Sequence, residues 1–155
     1  MLPALKSAAF GFAMVLAIAG SPALAVDTVV SKDAPDLTAV REKIKAKDFA
    51  GALKDLNKIS DTVQHADVYN LIGFASRKSG DYTNAATFYS KALDFDANHK
   101  GALEYQGEMY VELGQVDKAK INLAKLATLC PTGCEEREDL EKAIAAAPKT
   151  APKTN

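Results

Sequence analysis

The sequence predicts an all-α solenoid: about three helix pairs stacked in series and closed by a single last helix. Three observations predict it. The chain repeats itself at an offset of 34 residues, its apolar residues recur three and four apart, and a glycine stands between the two halves of the later copies.

The offset sets "DVYNLIGFASRKSGDYTNAATFYSKALDFDAN", residues 67–98, against "GALEYQGEMYVELGQVDKAKINLAKLATLCPT", residues 101–132. Gly73 then falls on Gly107, Gly80 on Gly114, Ala85 on Ala119 and Lys91 on Lys125. Tyr82 falls on Val116, Tyr89 on Leu123 and Ala92 on Leu126. An earlier copy, "VREKIKAKDFAGALKDLNKI", residues 40–59, fits at an offset of 33 through Phe49, Ala52, Leu56 and Ile59. Each copy reads as two helices, as in the run Tyr82, Ala85, Ala86, Tyr89, Ala92, Leu93. Gly80 and Gly114 sit where one helix must stop and turn sharply into the next. Ala52, Ala85 and Ala119, with Gly73 and Gly107, are seats without bulk, as two closely crossing helices require.

The final segment, "CEEREDLEKAIAAA", residues 134–147, reads as a solitary helix with Leu140, Ala143, Ile144 and Ala147 on its buried stripe. Stacked repeats leave an apolar end face for such a helix to cover. Thr132 and Glu135 fit a capping box at its start.

The period and these seats resemble the tetratricopeptide repeat family, whose signature is W-x2-L-G-x2-Y…A-x3-F…P over 34 residues. Residues 66–99 match with Tyr69, Ile72, Gly73, Ala85, Tyr89 and Ala92, and depart at Ser76 and Ala97, where the family prefers tyrosine and proline. Residues 100–133 match with Gly107, Tyr110, Ala119, Leu123 and Pro131, and depart at Gln106 and Leu126, where leucine and alanine are expected. The copy at 33–65 is the weakest. The resemblance covers 33–146, with 134–146 as the capping helix. It implies a right-handed superhelix whose first helices line a concave groove that binds a partner protein or peptide.

Carried over by the repeat register, the groove seats are Arg41 and Lys45, then Asn70, Phe74, Arg77 and Lys78, then Glu104, Glu108 and Glu112. Positions 41, 74 and 108 should lie side by side. The family's clamp for a C-terminal carboxylate is not reproduced, because the third copy presents acids; the groove should run from basic to acidic. Phe74, an aromatic among charges, has the character of an interface anchor. Arg41 and Arg77 would orient an acidic part of the ligand.

The ends set the compartment. Lys6, the uncharged run "AAFGFAMVLAIAG" at 8–20 and the small residues Ala23 and Ala25 form a secretory signal pattern over 1–25. The apolar run is short for a bilayer span. Cleavage before Val26 leaves no stable membrane anchor, an N-terminal extension at 26–32 and a periplasmic or secreted protein. The leader carries one of the 19 basic residues and none of the 20 acids, so the mature chain has 18 and 20 and a formal charge of −2. Such a balance makes nucleic acid an improbable partner. The tail, "APKTAPKTN" at 147–155, should be extended and mobile.

Both cysteines stand in "LCPTGCEE", residues 129–136. Export places Cys130 and Cys134 where disulfides persist, and Pro131 and Gly133 form a bend that can bring them together. For so short a ring, the loop-entropy gain is only about 2 kcal/mol. C-x-x-x-C differs from the C-x-x-C of thioredoxin-like enzymes; the pair could instead act in thiol redox or ligate copper(I). The two histidines, His65 and His99, fall in turns between copies, and helix spacing of about 8–10 Å sets them too far apart for one tetrahedral ion. No nucleophile–base set or phosphate-cradling loop is visible, so the chain reads as a non-enzyme without a cofactor. Two functions follow, a scaffold binding another protein or a thiol or copper(I) carrier, with self-association through an end face left open.

Overall fold

A computed structural model describes residues 29–30 and 34–148. The expected signal segment at 1–25, most of the 26–32 stretch and the tail from 149 onward lie outside the described residues. Within them the chain forms α1 (Thr38–Lys45), α2 (Phe49–Ser60), α3 (Ala66–Lys78), α4 (Tyr82–Phe95), α5 (Lys100–Glu112), α6 (Val116–Leu129) and α7 (Glu135–Ala146). The fold is an all-α solenoid in which α1–α2, α3–α4 and α5–α6 are successive hairpins and α7 packs on α5 and α6.

The turns explain the period. Gly80 and Gly114 close α3 and α5 with φ of 84° and 71°, a left-handed conformation open to glycine without steric cost. Lys47 occupies the corresponding place in the first hairpin at φ 61°, where a Cβ is unfavourable. Asp48 and Asp81 then start the second helices, each accepting from the backbone N–H three residues on, so two orphan amide donors are satisfied.

The core runs through the stack in linked clusters. Ala52, Ala85 and Ala119 are fully buried. The first two hairpins share Leu56, Val68, Tyr69 and Ile72; Tyr89 meets Met109; Leu103, Leu126 and Leu140 close the far end. Gln106, at a seat where leucine is expected, is buried but paired. The Asn122 amide donates to the Gln106 side-chain oxygen and to the Leu103 carbonyl, both at 3.0 Å, so a polar pair replaces an apolar one without an unmet group.

The glycine seats are tight. A Cβ on Gly107 would lie 2.6 Å from Leu140 Cδ2, and one on Gly73 would lie 2.7 Å from the Tyr89 ring. Leu140 is fully buried and has no free direction in which to retreat. Gly107→Ala is therefore expected to cost about 1–3 kcal/mol by overpacking. Urea unfolding checks the magnitude, and faster amide exchange in α7 checks the location.

Two details differ from the sequence reading. Val29–Val30 pairs in parallel with Val63–Gln64 (β1 and β2), so the extension adds a two-residue strand. The linker between α2 and α3 is extended there, and the pairing occupies its backbone groups. The Thr132–Glu135 capping box does not form: α7 begins one residue later, with Cys134 as its N-cap and no side-chain capping bond. Cys134 is instead joined to Cys130, the sulfurs 2.08 Å apart and the Cα atoms 6.0 Å apart. The bridge spans the bend through Gly133, whose φ is 102°.

The histidines also take a different part. His65 and His99 are N-caps, their Nδ1 atoms accepting from the backbone N–H groups of Asp67 at 3.1 Å and Ala102 at 3.0 Å. That leaves the proton of His99 on Nε2, which donates to Asp67 Oδ1 at 2.9 Å. His65 Nδ1 also lies 3.5 Å from Asp67 Oδ2. The His99 ring thus ties the second and third hairpins together through Asp67, while His65 caps the helix that carries that carboxylate. No group of three or more His, Cys, Asp or Glu residues suited to a metal ion occurs among the described residues.

Candidate functional site

The first helices of the hairpins lie on one side of the stack, and α7 continues the series. Residues of α1, α3 and α5 enclose an apolar notch of about 190 Å³ formed by Arg41, Ile44, Lys45, Leu71, Phe74 and Tyr105. Beside it is an acidic cavity of about 300 Å³, lined by Asp67 and Asn70 of α3, Glu104 of α5, and Glu135, Glu136 and Asp139 of α7. Arg41, Leu71 and Tyr105 line both, so the two are continuous. The basic wall belongs to α1 and the acidic wall to α5 and α7.

Phe74 is half-buried rather than freely exposed. Its ring is edge-on to Phe49 at 6.5 Å and tilted against Tyr105 at 4.9 Å. It therefore bridges three hairpins while keeping one side on the notch. Lys78 lies 5.4 Å from the same ring, within cation–π range.

Arg77 does not face a ligand. It is 3% exposed, and its guanidinium donates to Glu108 at 2.6 Å and Glu112 at 3.1 Å. Burial disfavours its charged form, but Tyr89 and these two carboxylates outweigh that and raise its pKa. Two of the three acids expected in the groove are thus already neutralised. Positions 41 and 74 are neighbours, as the register implies, whereas Glu108 is drawn toward Arg77.

Glu104 behaves differently. It is 7% exposed, with no hydrogen-bond or ion-pair partner among the described residues. Burial, followed by the nearby Glu108, Asp139, Glu136 and Glu135, pushes its carboxyl up to about 8. Asn70, 6% exposed, leaves its Oδ1 buried without a partner in the same cavity. Tyr105, Leu71, Ile44 and the α7 acids were missed by the sequence reading. For the α7 acids the signal was that α7 occupies a first-helix position in the series.

Comparison with known proteins agrees with this architecture. Residues 66–99 match the family described as Tetratricopeptide repeat. Over 76 residues the chain is 32% identical to the uncharacterized protein ycf37 of Pyropia yezoensis, a stretch that is 49% of this chain and 43% of that relative. The hairpin α3–α4, with Gly73 seated on Tyr89 and Gly80 at its turn, is the part of the helical solenoid that matches the tetratricopeptide repeat model.

Proposed function

We propose that the chain is a non-catalytic adaptor of the bacterial periplasm that holds a partner protein or peptide in the groove lined by α1, α3, α5 and α7. The observation that carries the reading is the continuity of the notch and the acidic cavity across four helices of one face. Tetratricopeptide repeats bind other proteins through that face, and clefts with a few convergent polar groups are where ligands sit. Export is supported by the leader at 1–25 and by the Cys130–Cys134 bridge, a bond that lasts in oxidising compartments. The same bridge occupies both sulfurs, which weighs against a copper(I) carrier. No helix among the described residues is long and apolar enough to cross a membrane.

Site-specific photocrosslinking in the native envelope tests the reading. A benzophenone side chain at Arg41 or Lys45, both exposed, should give a discrete partner adduct. One at Ile121, 69% exposed on α6, should not. Adducts from Ile121 alone would move the binding face to the second helices. Phe74→Ala should reduce capture by at least tenfold, as loss of an anchor aromatic does, and should also cost stability through its contacts with Phe49 and Tyr105.

A further inference from the structure

The acidic cavity is unlike the rest of the groove. Arg77 already holds Glu108 and Glu112, and the His99 ring holds Asp67. Glu104 is different: the residue is 7% exposed and makes no hydrogen bond or ion pair among the described residues, although Arg41 lines the same cavity. Asn70 Oδ1, a second acceptor, is buried and unpaired in the same cavity. Buried acceptors are normally satisfied, and an unmet one costs free energy. Glu136 and Asp139 on α7 stand on the opposite wall, Glu136 at 3.7 Å from Lys100 and Asp139 at 2.9 Å from Lys142. A nearly buried carboxyl and a buried amide oxygen, neither with a donor among the described residues, in a cavity of about 300 Å³ with several acidic side chains, suit a cationic hydrogen-bond donor.

The neighbouring notch limits what carries the cation. Leu71 and Tyr105 form the boundary between the two spaces, and Phe74 and Ile44 floor the second one. A free diamine would leave this apolar surface uncovered. A peptide would fill both spaces with adjacent side chains.

Resting on the groove reading above, we propose that the cavity between α3, α5 and α7 receives the ammonium or guanidinium head of a lysine or arginine of a bound peptide, while an adjacent apolar side chain packs on Phe74 and Tyr105. Glu104 takes the charge, Asn70 Oδ1 accepts one N–H, and Glu136 and Asp139 complete the wall. The pocket selects a basic–apolar pair, the reverse of a carboxylate-binding groove.

The test uses the full mature chain and capped hexapeptides followed by NMR titration. The parent peptide carries one lysine followed by one leucine among serine and glycine. In one variant norleucine replaces the lysine; in another glycine replaces the leucine. The lysine–leucine peptide should shift the amides of Asn70 and Glu104, and each variant peptide should bind at least tenfold more weakly. Glu104→Gln should weaken the parent peptide by at least tenfold and leave the norleucine peptide unchanged, so that the two losses do not add. Equal binding of the lysine and norleucine peptides overturns the inference, as does a Glu104→Gln protein that binds like the original. Putrescine competing as well as the peptide makes the cavity a small-amine site and overturns the peptide part. Should Arg41 crosslinks persist while every lysine peptide fails, the groove reading stands and this inference falls. Crosslinks from Ile121 alone would remove the groove reading itself.

Discussion

Arg77→Met is expected to lower the free energy of unfolding by about 3 kcal/mol, within the range for removing one partner of a buried ion pair. The guanidinium sits between Glu108 and Glu112 and lies 5.7 Å from the Phe74 ring and 5.9 Å from the Tyr105 ring. Its loss leaves two carboxylates one helical turn apart without a counterion. Glu108 and Glu112 keep some access to water, which holds the cost below the upper end of that range. Arg77→Lys should recover only part of the loss, because an ammonium cannot form the two-pronged contact. The triple variant with Glu108→Gln and Glu112→Gln should be more stable than Arg77→Met alone. Urea unfolding of the four proteins decides it. A single variant within about 0.5 kcal/mol of the original, the range of ordinary surface changes, would show that the pair carries no net stability.

Glu104→Gln is expected to do the opposite and raise stability, by up to about 3 kcal/mol at pH 7. The sign follows from linkage. The folded carboxyl titrates at about 8 against an ordinary 4.5, so the folded state holds its proton more tightly than the unfolded chain does. Below pH 4.5 both states are protonated and Glu104 costs nothing. Between 4.5 and 8 the unfolded chain releases the proton first, and stability falls as pH rises. Above 8 the full penalty is present and constant. The charged neighbours that set it are Glu108 on its own helix and Glu135, Glu136 and Asp139 on α7; Arg41 lines the same cavity. Denaturation at pH 4.5, 7 and 9 should show the two proteins converging at the acid end. A gap that widens toward acid would contradict the assignment. The two substitutions define opposite conditions for a buried charge: Arg77 is neutralised by two carboxylates within the chain, although its Nε is left without a partner, whereas Glu104 is held at a cost that binding could repay.

The parts of this fold that were legible in the sequence were those that recur. Gly80 and Gly114 mark the same left-handed turn, and Gly73 and Gly107 are small because a helix lies against each, so the offset of 34 exposes them without any structure. Groove residues are legible only as a face. Arg77 and Glu104 are both charged residues at first-helix seats, and nothing in their spacing tells that one meets two carboxylates and the other none. That difference arises because Glu108 and Glu112 straddle Val111, the residue in register with Arg77, so the guanidinium falls between them. Tyr105 and Asp139 were hidden for a related reason: their roles depend on which hairpin comes next, and α7 had been read as a cover rather than as a wall. His99 was hidden by its chemistry, since a ring that caps a helix and reaches back to Asp67 has the same sequence spacing as one that binds a metal.

Lys47 has a dynamic consequence. It holds a left-handed backbone where its counterpart is glycine, and α1 has only eight residues, one of them buried. Opening free energy should therefore be lowest at α1 and rise toward α3 and α5, so α1 amides should exchange with solvent first. The basic lip of the groove, with Arg41 and Lys45, is then the compliant wall, and the acidic wall on α5 is the fixed one. A ligand would be met by a rigid half that sets its charge pattern and a yielding half that adjusts to its bulk. Lys47→Gly, by relieving the turn, should stiffen that lip and slow the release of whatever it closes on.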